Sequence, residues 1–250
     1  MSDYHSQTRS IPTGRADMAV DAGLRAFMLG VYNKMALGLL LSAVLAYVAG
    51  TVPPVRDFVF YTPFVFVVMF GPLAILLISA FTMRNPSPTA ANLVYWSVVS
   101  LIGISLGYWI LRAAAGQLGG TYEAGMLTIM KAFLVTAASF GALSLWGYTT
   151  KRDLTGFGTF LIMGLIGLII ASIVNMFIAS SALSFAISVI GVLVFAGLTA
   201  FDTQRLKFMY YQVGGDARAA SVTTTYGALS LYINFINLFQ FILSLMSPRN

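Results

Sequence analysis

Long apolar runs alternate with short polar or Pro/Gly-rich breaks along almost the whole chain. Seven runs, at 27–49, 59–82, 90–111, 126–148, 156–178, 183–206 and 223–246, are long enough to cross a bilayer as helices. About 20 residues rising 1.5 Å each cover a hydrocarbon layer about 30 Å thick. The breaks carry turn chemistry, as in Thr51-Val52-Pro53-Pro54 and Asn85-Pro86-Ser87-Pro88. The gap at 179–182 is so short that the fifth and sixth spans must form a tight antiparallel pair. Gly71-Pro72 predicts a kink in the second span. Gly103 and Gly107 predict a face of the third span that lets a neighbouring helix come close. The pattern therefore predicts an all-α membrane protein. A polar cytoplasmic tail (1–26) precedes a single seven-helix transmembrane domain (27–250).

Composition agrees with a chain whose solvent is lipid. Hydrophobic residues make up 58%, charged residues 9%, and the mean hydropathy is +0.86. Soluble domains carry roughly 25% charged residues, so a water-exposed surface cannot be built from this sequence. The first 25 residues are polar and lack an apolar core segment, which predicts a tail and not a cleaved signal peptide. The net charge of +6 comes from basic residues scattered over tails and loops, with no cluster that would suit nucleic acid. Arg9, Arg15, Arg25, Arg84, Lys151, Arg152, Arg205, Lys207 and Arg218 fall on one side of the predicted topology. Only Arg56, Arg112, Lys131 and Arg249 fall on the other. By the positive-inside rule the first side is cytoplasmic, so the N-terminus is expected inside and the C-terminus outside. Lys34 lies within the first span near its cytoplasmic end, where its stem could snorkel to the interface.

Several chemistries are excluded. There is no cysteine, so disulfides and thiolate metal sites are impossible. The single histidine, His5, is in the tail, which removes a Ser–His pair and an H-E-x-x-H zinc site from the membrane. No nucleotide-binding loop is present. No enzyme activity, cofactor or resident metal is expected.

One acidic residue remains inside a span. Asp202, in Phe201-Asp202-Thr203-Gln204, follows the apolar run from Ile187 to Ala200. An ionisable group there costs roughly 2.5–3.5 kcal/mol at mid-membrane and usually faces protein or water. It either works in function or marks the span end, paired locally with Arg205 or Lys207. In the seventh span Tyr226, Ser230, Asn234, Asn237 and Ser244 share one helical face. Amides in hydrocarbon need partners, so that face should turn inward. If the sixth span stays helical to Tyr210 or Tyr211, Asp202 and Asn234 reach similar depth and can touch.

These segments resemble the Bax inhibitor-1 family of transmembrane proteins, in its bacterial form. The resemblance rests on Phe201-Asp202-Thr203-Gln204-Arg205-Leu206-Lys207 and on Ala228-Leu229-Ser230-Leu231-Tyr232-Ile233-Asn234-Phe235-Ile236-Asn237-Leu238-Phe239. It implies a last helix that is central and wrapped by the other six. It also implies a pH-sensitive calcium leak across the bacterial inner membrane, in which an aspartate pair senses protons and an arginine latches one of them. Asp202 matches the first aspartate and Arg84 the latch. The second aspartate position holds Asn234, so the like-charge repulsion that makes such a pair share a proton is missing. Any pH response is then expected to be weaker, or shifted to lower pH, than with both aspartates. Ser230, Asn237 and Tyr232 are expected to supply polar pore or helix–helix contacts, and Asp202 at most a weak, transient cation contact. Lipid and cations are the expected partners. The alternative implied by the resemblance is a non-transporting regulator of a membrane-anchored ATP-dependent protease.

Overall fold

A computed structural model of the chain describes residues 13–83, 85–213 and 215–248. Eight helices run through them: α1 Thr13–Thr51, α2 Pro53–Phe60, α3 Phe64–Thr82, α4 Pro88–Ala114, α5 Tyr122–Thr149, α6 Thr155–Ile178, α7 Ser181–Val213 and α8 Ala217–Met246. All but α2 are long and apolar enough to cross a membrane. The end of the bundle that holds the start of α1 and the α3–α4, α5–α6 and α7–α8 connections is here termed the basic end.

Two boundaries differ from the sequence reading. The segment assigned to a tail is helical from Thr13, so 13–26 are the first turns of α1. Leu24 in that stretch is buried, which anchors it to the bundle. The second predicted span also starts too early. Pro53 and Pro54 occupy the first turn of a separate short helix, where a missing N–H costs nothing, and Pro63 caps the start of α3. The α2 ion pair Arg56–Asp57, at 2.8 Å, is exposed and contributes little.

The last helix is the innermost. Of its most apolar window 56% is buried, against 11% for α3 and for α6. It packs directly on α1, α4, α5 and α7, whereas α3 packs on α2 and α4, and α6 on α7. The six surrounding spans thus form two shells around α8. Glycines set the closest approaches. A Cβ on Gly103 would lie 2.7 Å from Ser42 Cα, and one on Gly107 3.0 Å from Ala46 O. The Gly103/Gly107 face of α4 therefore fits against α1, as the small-residue pattern predicted. Between α5 and α7 the fit is tighter still: a Cβ on Gly147 would lie 2.2 Å from the Ala200 carbonyl oxygen. Phe133 and Phe140 of α5 pack edge-to-face on Phe235 of α8, with centroids 5.5 and 5.4 Å apart.

Candidate functional site, a buried carboxylate between α7 and α8

Helix α7 continues unbroken to Val213, which places Asp202 about 16 Å inside its basic end at 1.5 Å per residue. The residue is only 7% exposed. The antiparallel α8 brings two donors to one oxygen. Ser230 Oγ donates to Asp202 Oδ2 at 2.6 Å and Asn234 Nδ2 donates to the same atom at 2.8 Å. The other oxygen, Oδ1, has Arg205 Nη1 at 3.6 Å. Asp202 thus meets Asn234, whose contact was expected, together with Ser230 and the local arginine. Arg205 is more than half exposed, so the pair is screened and weak. Arg84, the expected latch, lies outside the described residues.

The whole Phe201–Lys207 segment is spoken for. Gly158 of α6 leaves room for the Phe201 ring. Thr203 Oγ1 bonds Ser144 Oγ of α5 at 3.0 Å, and Ser144 bonds Tyr32 of α1 at 2.5 Å. Gln204 accepts from Leu154 N at 2.8 Å and donates to Arg152 O at 2.7 Å, tying the α5–α6 connection to α7. Gly227 of α8 leaves room for Leu206. Lys207 donates to Tyr148 O and lies 5.1 Å from the Tyr148 ring centroid. Ser144, Tyr32, Thr203 and Gln204 were not legible as a unit, because their partners lie on three other elements. The one signal was a glutamine at the end of an apolar span.

The other polar residues of α8 do not all act alike. Ser244 bonds Ser188 of α7 at 3.1 Å. Tyr232 is fully buried and turns away from α7, with its hydroxyl 2.7 Å from Ser42 Oγ of α1. Among the described residues Asn237 donates to its own helix alone, at Ile233 O, 2.9 Å, and it is half-buried. Lys34 does not snorkel. Its ammonium group donates to Asn92 of α4 and, at 2.7 Å, to Thr225 of α8, and it lies 5.6 Å from the Tyr95 ring centroid. Tyr95 in turn donates to Lys34 O at 2.7 Å. One lysine therefore ties three helices together, with no carboxylate partner among the described residues. Lys34→Met should lower stability by about 2 kcal/mol, the usual worth of hydrogen bonds from a charged group. Thermal unfolding in detergent reads this, and an unchanged midpoint would mean that the clamp carries no stability.

A hollow of about 30 Å³ adjoins the carboxylate, lined by Arg205, Leu206, Met209, Tyr226, Gly227 and Ser230. That is room for about one or two water-sized occupants. Among the described residues no group of three or more His, Cys, Asp and Glu side chains comes together to hold a metal.

The description "Inhibitor of apoptosis-promoting Bax1" belongs to the family model that matches residues 24–250. A protein of Caulobacter vibrioides is 57% identical, over 98% of this chain and 97% of its own. One from Rickettsia prowazekii is 42% identical over 100% and 99%. The inner membrane protein YbhL of Escherichia coli is 39% identical over 94% and 97%. With its seven membrane-length helices and a family match that runs from the buried Leu24 to the end of the chain, the chain is a multi-pass membrane protein of the Bax inhibitor-1 family.

Proposed function

We propose that the protein is a passive, pH-modulated cation leak, with calcium as the cation, controlled at Asp202 with Asn234 and Arg84 as its partners. The basic end would face the cytoplasm of a bacterial inner membrane, a placement that the distribution of basic residues supports. No reaction is catalysed.

The observation that supports this reading is the Asp202 carboxylate, buried among membrane helices with both helical donors on Oδ2. An anion in this setting is costly unless it is used or paired. Its Oδ1 has Arg205 Nη1 at 3.6 Å, and the residue lines the small hollow. A hard cation prefers several oxygen ligands. One carboxylate with hydroxyl and amide oxygens offers a weak site, which suits a leak because the ion must leave as readily as it enters.

The test is calcium flux into liposomes carrying the wild type or Asp202→Ala, measured from acidic to neutral pH. The wild type should show a pH-dependent flux, and the variant should lose that dependence. Identical flux in the two proteins at every pH would overturn the reading. Asp202→Asn, which keeps the shape and accepts from Ser230, controls for misfolding.

A further inference from the structure

The end of the bundle far from Asp202 carries a second charged group that the proposed leak does not use. Helix α4 ends at Ala114, and Gly116 takes a left-handed conformation (φ 72°) that turns the chain back. A side chain would be strained there. The reversal brings Gln117 beneath Arg112. Gln117 N donates to Arg112 O at 2.9 Å, and Arg112 Nε donates to Gln117 Oε1 at 3.0 Å. On another side the guanidinium lies 5.4 Å from the Trp109 ring centroid. It is therefore held by an amide and an aromatic ring. Its two terminal amino groups have no carboxylate or other acceptor within bonding distance among the described residues.

Arg112 and Gln117 line two hollows. One, of about 770 Å³, lies between α2–α3 and α4. Its walls include Val65, Val68, Met69 and Leu106, and Gln240 of α8 also lines it. The other, of about 610 Å³, is bordered by Ser181, Ser184, Ser244 and Ser247. Sites for small molecules are typically about 300–1,000 Å³, apolar-walled, with a few fixed polar groups. A fixed guanidinium with both amino groups free matches a carboxylate or phosphate in two parallel bonds. Apolar walls on one side and hydroxyls on the other suit a molecule that is itself divided.

We propose that Arg112 is the head-group anchor of a binding site for an amphipathic anion. The carboxylate or phosphate sits on the guanidinium, the hydrocarbon tail lies along the α3–α4 hollow, and polar parts of the head face the serines. A free fatty acid and an anionic phospholipid share this chemistry. The inference is independent of any ion flux.

Trp109 reports on the site. With Trp96→Phe and Trp146→Phe it is the sole tryptophan of the protein, because the chain has three. The protein is placed in nanodiscs of zwitterionic lipid and titrated with a brominated fatty acid, brominated phosphatidylglycerol or brominated phosphatidylcholine. Quenching is read against each lipid without bromine. Saturable quenching is expected with the fatty acid, the phosphatidylglycerol or both, and which of them acts identifies the source. Arg112→Gln should weaken it by about tenfold, the size of one charge-assisted pair. Arg112→Lys, which keeps charge and fold but loses the two-pronged fit, should fall between them. Arg25→Gln, at the other end of the bundle, should leave it unchanged. Quenching that does not saturate, is as strong with brominated phosphatidylcholine, or is equal in wild type and Arg112→Gln would overturn the proposal.

Discussion

Asn234→Asp is expected to move the midpoint of the pH response of calcium flux upward by about one unit or more, the coupling typical of neighbouring carboxylates. The amide nitrogen it replaces lies 2.8 Å from Asp202 Oδ2, so a carboxylate oxygen would take the same place. Two ionised oxygens at that separation repel strongly in a dry site, and the pair must hold a proton between them at pH values where a lone carboxylate would not. The sign follows directly. Like-charge repulsion lets a carboxylate pair hold a proton to higher pH than a carboxylate beside an amide, so the response moves upward. Flux in liposomes at a series of pH values reads the midpoint. A superimposable pH profile in the two proteins would mean that the α7–α8 contact is only a packing bond. Ser230→Ala, which removes the second donor to Oδ2, should act in the same direction and more weakly.

The second large effect concerns α5 against α7. Gly147→Leu should destabilise the bundle by about 3 kcal/mol or more, at the upper end of overpacking costs. The first added carbon would lie 2.2 Å from the Ala200 carbonyl oxygen and 2.9 Å from its carbonyl carbon. Backbone atoms cannot swing aside, so the two helices must part. Ser144 is one turn before Gly147, and Thr203 is one turn after Ala200, so the Ser144–Thr203 bond beside Asp202 would be lost as well. On the same helix Gly141 has nothing within 4 Å of an added Cβ. Gly141→Ala should therefore be neutral or slightly stabilising, through better helix propensity. Similar unfolding midpoints for the two variants would contradict the close α5–α7 fit.

The spans were legible because lipid imposes a length on apolar segments, and six of the seven predicted runs fall within a membrane-length helix, the second beginning five residues before its helix. Their ends were less so. Pro53-Pro54 reads equally as a turn or as the start of a helix, and Val59-Phe60 was apolar enough to be absorbed into the next span. The facing of Ser230 and Asn234 was readable from their spacing of four. Their contact with Asp202 also needed α7 to stay helical beyond it, which the polar Gln204–Tyr211 stretch did not advertise. The Lys34 clamp and the Arg112–Gln117–Trp109 arrangement were out of reach. The first joins residues far apart in the chain, and the second depends on a single left-handed glycine whose effect is a local reversal.

The placement of polar partners around α8 has a mechanical consequence. At 100° per residue, Thr225 and Tyr232 point within about 20° of each other, and Asn234 points about 180° from Thr225. Lys34 and Ser42 therefore hold the helix from one side, while Asp202 holds it from the other. Turning α8 about its axis would strip the spokes from both sides at once. The helix is a stator, and any rearrangement that changes what the carboxylate sees has to be made by the helices around it.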